Sequence, residues 1–161
     1  VLVLGLDPGV ALTGYGLVEC GRSLRAVAYN FIATPSELDH ASRLKLLYDE
    51  LSFILAHYQP QQVAVEEIFF NKNARTAMAV GQARGVALLA AVQNGAKVFE
   101  YSPMQVKKAV TGSGRAEKGQ VQFMVRAILG LASIPQPDDV ADALALAICH
   151  CHCGIRPEGY L

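Results

Sequence analysis

The sequence has no tryptophan, and aromatic residues make up only 7% of its 161 residues. Charged residues are also sparse at 17%, while apolar residues reach 52%. That balance excludes an intrinsically disordered chain and supplies enough apolar material for one domain spanning residues 1–161. No apolar run approaches the ~20 residues that cross a bilayer, so no membrane partner is expected. The opening Val-Leu-Val-Leu-Gly-Leu-Asp lacks the basic leader and small-residue cleavage site of a secretory signal. There is no glycine-rich phosphate loop of the Walker type and no Gly-x-Ser-x-Gly elbow. His40 and His57 have no adjacent Ser or Cys nucleophile. An excess of either charge is missing too, since 14 basic residues balance 14 acidic ones. As a total, that neutrality argues against a polyanion partner; the placement of the charges reverses the argument.

Cysteine is present but unevenly spread. Cys149, Cys151 and Cys153 alternate with His150 and His152, while Cys20 stands alone. Zinc sites usually draw paired ligands from two segments, and no second Cys/His cluster exists here, so the run reads as the end of a partly buried helix. Without a secretory signal the thiols are expected to be reduced and the protein cytoplasmic.

The first third reads as strands. Residues 1–7, Thr13–Cys20 and Leu24–Ala33 form a predicted antiparallel meander, punctuated by Asp7-Pro8-Gly9 and Gly21-Arg22-Ser23. Ser36 is the expected cap of a helix whose apolar positions run from Ala41 to Tyr58, with Pro60 closing it. Gln62–Glu66 follows as a strand parallel to the first, because the helix makes a crossover. Ala74–Gln93 is a long Ala-rich helix carrying Gly81 and Gly85 on one face, a pattern that implies close backbone approach by the sheet or a second subunit. Val98–Tyr101 is a further strand, Ser102-Pro103 opens a helix, and two more helices cover about Glu117–Leu129 and Asp138–His152. The expected class is α/β with a mixed sheet.

Four acids occupy positions where a cleft carboxylate is expected. Asp7 ends the first strand, Glu66 ends the parallel strand beside it, and Asp139 and Asp142 share a face of the last helix. In isolation, each has an ordinary reading as a strand-end or helix-dipole acid. No Lys or Arg lies within three residues of any of them, so convergent carboxylates would repel unless cations joined them. All-oxygen ligands favour Mg²⁺ or Mn²⁺, and two ions ~4 Å apart suit in-line attack of water on a phosphodiester. Glu67 should point to the opposite face, and Asp138 competes with Asp139 for the ligand role.

Between Ile68 and Leu131 lie Lys72, Arg75, Arg84, Lys97, Lys107, Lys108, Arg115, Lys118 and Arg126, opposed only by Glu100 and Glu117. This segment is therefore +7 and the remainder −7, a footprint suited to a nucleic acid bound through its phosphates. Phe69 and Phe70 follow Glu66 closely, where one could anchor the loop and the other could stack on an unpaired base.

An ordered set of motifs carries a family resemblance. It comprises Gly5-Leu6-Asp7-Pro8-Gly9, Thr13-Gly14-Tyr15-Gly16, Ala64-Val65-Glu66-Glu67-Ile68-Phe69 and Lys72-Asn73-Ala74. Gly81-Gln82-Ala83-Arg84-Gly85, Ala116-Glu117-Lys118 and Asp139-Val140-Ala141-Asp142-Ala143-Leu144-Ala145 complete it. The chain closely resembles, over nearly its whole length, the RuvC family of bacterial Holliday-junction resolvases in the RNase H-like nuclease superfamily. The resemblance implies a five-stranded mixed sheet, three antiparallel strands then parallel ones, flanked by helices on both faces. It implies Asp7, Glu66, Asp139 and Asp142 as catalytic metal ligands for two Mg²⁺ ions, with Mn²⁺ able to substitute. Some relatives carry His at the position of Asp139. DNA contacts are expected from Phe69, Lys107 and Lys118, joined on the charge argument by Lys72, Arg75, Lys108 and Arg115. A homodimer through Gly81 and Gly85, a four-way DNA junction and a branch-migration motor of the RuvA and RuvB type are the implied partners. The expected reaction is paired symmetric nicking in recombination and repair. Competing readings are an RNase H-like nuclease for RNA–DNA hybrids, a non-catalytic junction binder, and an actin-like ATPase fragment suggested by the Asp7-Pro8-Gly9 turn.

Overall fold

The structure, a computed structural model, describes residues 1–68 and 73–155. Three strands, β1 (Leu2–Asp7), β2 (Leu12–Cys20) and β3 (Leu24–Ala33), form the antiparallel meander. Helix α1 (His40–Tyr58) crosses over to β4 (Gln62–Glu66), and α2 (Ala74–Gln93) crosses to β5 (Lys97–Tyr101). Both β4 and β5 are parallel to β1, giving the sheet order β3-β2-β1-β4-β5. Helices α3 (Pro103–Thr111), α4 (Lys118–Leu129) and α5 (Asp138–Cys153) follow.

Strand alternation divides the interior into two layers. Leu4, Leu6, Leu17, Val63 and Val65 pack with Leu47, Leu51 and Leu55 of α1 and Ala83, Ala87 and Ala90 of α2. Val3, Val18 and Ala64 face the other way, against Val106 of α3, Val121 and Val125 of α4, and Leu144 and Ile148 of α5. The expected mixed sheet with helices on both faces is therefore observed.

Helix α5 approaches the sheet unusually closely, and two glycines make that possible. A Cβ at Gly5 would overlap the Ala143 carbonyl, and one at Gly14 would overlap the Asp139 carbonyl. The backbone of α5 therefore rests directly on β1 and β2, which sets the height of its acids above the sheet edge.

Helix ends follow local chemistry. Ser102 and Gln105 form a reciprocal capping box behind Pro103. For α1 the cap is Asp39, which accepts from the Ser42 amide at 3.0 Å, and not Ser36 as expected. Ser36 instead lies within a turn in which the Leu38 amide donates to the Pro35 carbonyl at 3.3 Å. Gly81 and Gly85 face open space among the described residues, with no atom beyond their own helix backbone and chain neighbours within 4 Å of an added Cβ. The sheet is thus not what they accommodate, and the exposed Met78, Leu89 and Val92 lie on the same helix.

The Cys/His run forms the end of α5, as expected, with Cys149 and His150 fully buried. His150 Nδ1 meets the Tyr101 hydroxyl at 2.6 Å, and its Nε2 meets Gln62 Oε1 at 2.6 Å. The amide oxygen only accepts, so Nε2 carries the proton and the tyrosine hydroxyl donates to Nδ1. The expectation of reduced thiols is corrected for one pair. Cys20 and Cys151 form a disulfide with Cα atoms 5.7 Å apart. The end of β2 packs beside the last turns of α5, which brings these two cysteines together across 131 residues of sequence. Cys149 and Cys153 are free thiols.

Candidate active site

Asp7 and Glu66 emerge where β1 and β4 end, at the carboxyl edge of the parallel strands. The first turns of α5 bring Asp139 and Asp142 to the same edge, because α5 lies across Gly14, the residue paired with Asp7. Asp7 records the convergence: burial, then the carboxylates of Asp142, Asp139 and Glu66, push its acid up to about 7. Burial and Asp142 raise Glu66 in the same sense, against the pull of Lys107 and Lys118. Burial raises Asp142 as well, although Lys118 opposes it.

The sequence separates Lys118 from these acids by more than 20 residues, yet the fold brings it among them. Its Nζ lies 3.2 Å from Asp138 Oδ2 and 3.3 Å from Asp142 Oδ2. Burial works against its charge, but the Asp142 and Asp138 carboxylates outweigh that and raise it. An ammonium ion thus neutralises part of the acid cluster. Asp138 also accepts from Gln122 Nε2 at 3.0 Å and turns towards α4, whereas Asp139 acts on Asp7. That difference favours Asp139 over Asp138 as the fourth acid of the site.

The donor set suits a hard divalent cation. Every candidate ligand is a carboxylate, and burial first, then neighbouring carboxylates, raise Asp7, Glu66 and Asp142. Among the described residues no three acids are close enough to form a ready-made cage.

Two clefts flank Glu66. One, of about 250 Å³, is lined by Glu66, Asp142, Lys107 and Lys118 together with apolar residues of α3, α4 and α5. The other, of about 200 Å³, is bordered by Asp7, Pro8, Glu66, Glu67, Ile68, Val80 and Arg84. Lys107 and Lys118 therefore share a cleft with Glu66 and Asp142. Arg75, Lys108 and Arg115 are exposed on α2, α3 and the α3–α4 loop, outside these two clefts. Phe69 and Lys72 lie outside the described residues. Sequence reasoning missed the role of Lys118 as a counter-ion and the position of Arg84, because the partners of both lie far away in sequence. The spacing of Gly5, Gly14 and Gly16 was the available clue that a helix backbone would lie on the sheet.

Known proteins resemble the chain in both sequence and fold. The family model described as crossover junction endodeoxyribonuclease RuvC matches residues 3–150. The RuvC of Heliobacterium modesticaldum is 58% identical over 146 residues, covering 90% of each chain. The structure of Thermus thermophilus RuvC aligns with a TM-score of 0.88 and 37% identity, covering 96% of this chain and 95% of that one. The T. thermophilus RuvC in complex with a Holliday junction substrate aligns with the same TM-score at 35% identity, with the same coverage. With the sheet order and these matches in agreement, the chain belongs to the RuvC family of crossover junction endodeoxyribonucleases, the Holliday junction resolvases.

Proposed function

We propose that Asp7, Glu66, Asp139 and Asp142 are the catalytic acids of this resolvase, acting on a four-way DNA junction. Nucleases of this family depend on a metal ion, and we assign two Mg²⁺ ions to the four acids, with Mn²⁺ able to substitute. When bound, the ions would neutralise the carboxylates, activate water and offset charge on the leaving oxygen. The observation that carries the reading is the meeting of acids at one sheet edge: Asp7 and Glu66 end neighbouring parallel strands and border one cleft, Asp142 shares a second cleft with Glu66, and Asp139 starts the helix seated on Gly14.

The chain's own residues supply orientation. β1 and β4 hold Asp7 and Glu66 side by side, and α5 fixes Asp139 and Asp142 through its seat on Gly5 and Gly14. Lys118 and Lys107 border the same cleft, positioned to pair with phosphates once Lys118 leaves its carboxylates. Water attacks the phosphorus in line, the bond to the 3′ oxygen breaks, and a 5′ phosphate and 3′ hydroxyl result. Phe69, Lys72, Arg75, Lys108 and Arg115 extend the DNA surface. A homodimer formed through the exposed side of α2 around Gly81 and Gly85 would place two such sites on one two-fold junction. The reading includes a single nuclease domain over residues 1–161, a cytoplasmic location and a branch-migration motor as partner. No helix of the described chain is long and apolar enough to cross a membrane.

The test is Asp7→Asn incubated with a four-way junction and Mg²⁺. Loss of nicking with junction binding retained is the expected result, and persistent nicking would overturn the assignment. Comparing four-way junctions with RNA–DNA hybrids separates this reading from a hybrid-cutting nuclease.

A further inference from the structure

The second cleft beside Glu66 contains a cation for which the four-acid site gives no role. Arg84 sits on the inward side of α2 and is only 7% exposed. Its Nη2 lies 2.7 Å from Glu100 Oε2 on β5, a contact that fixes the guanidinium. Its Nη1 is screened from bulk water and has no hydrogen-bond partner among the described residues. A shielded charged donor left unpaired is costly. Yet Asp7, Glu66 and Glu67 border the same cleft as Arg84, and none of them accepts from Nη1. A donor that stays unpaired beside three carboxylates is suited to an acceptor that arrives from outside.

We propose that Arg84 is a phosphate-binding residue of the resolvase, taking through Nη1 a phosphodiester oxygen of the strand being cut, on the side of Glu66 opposite Lys107 and Lys118. The inference rests on the acid site as read above. It places cationic donors on both flanks of the carboxylates: Lys107 and Lys118 in one cleft, Arg84 in the other. A strand crossing the acids from one cleft to the next then has a donor for the phosphate on each side of the scissile one. Guanidinium suits this duty better than an ammonium, because one nitrogen can stay on Glu100 while the other binds phosphate. The ion pair with Glu100 is thus the mount, and Nη1 the contact.

The test uses full-length protein carrying Asp7→Asn, four-way junction DNA and Mg²⁺, with binding measured across a salt series. Adding Arg84→Gln is expected to weaken binding about tenfold and to reduce the slope of log K against log salt by about 0.7–0.9, one phosphate contact. Glu100→Gln retains an acceptor for Nη2 and is expected to keep the reference slope. A slope unchanged by Arg84→Gln overturns the proposal, as does a Glu100→Gln loss equal to that of Arg84→Gln, which marks a purely structural pair. Junctions with a neutral methylphosphonate beside the scissile phosphate complete a double-mutant cycle. The substitution should weaken the reference protein and leave Arg84→Gln nearly unaffected; equal penalties in both overturn the contact. Should Arg84→Gln not fold, Arg84→Lys takes its place, with a reduced methylphosphonate penalty in support and an unchanged one against. Failure of the unmodified chain to nick the junction would instead overturn the reading of the acid site.

Discussion

At Asp7, burial and three neighbouring carboxylates act in one direction and hold the acid at about 7, against an ordinary value of 3.8. The folded, metal-free chain therefore binds this proton more tightly than the unfolded chain does. The resulting stabilisation is complete below about 3.8 and is lost as pH rises through about 7. Asp7→Asn stays neutral throughout. Its thermal midpoint in EDTA at pH 8 is expected to exceed that of the unsubstituted chain by ~5 °C, and the gap should close towards pH 4. Melting curves at the two pH values check this, and Mg²⁺ should reverse the order at pH 8 because only the intact site gains a ligand. Lys118 answers to the same acids. Replacing it with Gln removes the partner of Asp138 and Asp142 and a candidate phosphate contact. Its junction-binding salt slope should fall by about 0.9, which a titration series reads directly.

Among the elements, α5 matters most to the site, since its acids are placed by backbone contact and not by side-chain packing alone. Gly14→Ala would push a methyl into the Asp139 carbonyl. We expect it to destabilise the fold by about 1–3 kcal/mol and to lower nicking more than junction binding, as measured by denaturant unfolding beside cleavage rates. The same element shows what the sequence could and could not convey. The bounds of β3, β4 and α2 were legible because turn residues and apolar periodicity are local signals, and they recur at the same residues in the structure. The four acids were legible for a related reason, since strand ends and a first helical turn are readable positions. The start of α1 was not, because Ser36 and Asp39 are both good caps and the choice depends on the Pro35–Leu38 turn. Lys118 beside Asp142, Arg84 beside Glu100 and Cys20 beside Cys151 depend on tertiary packing, for which no spacing rule exists.

For the molecule as a whole, the neutral total conceals a division of labour, with a +7 segment from Ile68 to Leu131 and a −7 remainder that contains all four acids. Two-fold pairing would set two such arrangements facing one junction. The exposed apolar residues of α2 provide the test: Leu89 is 53% and Val92 62% exposed. Leu89→Glu is expected to convert a dimer to monomers in light scattering and to replace paired nicks by single ones. A variant that remains dimeric would place the interface elsewhere. The order of elements along the chain has one more consequence. Asp7 and Glu66 precede α5, which delivers Asp139 and Asp142 and also fills the core over β1 and β2. During synthesis, a ribosome-bound chain that has not yet released α5 holds only half of its acids and an uncovered sheet face. On the proposed assignment, the four-acid set and the closed core over β1 and β2 are completed by one event, the docking of α5.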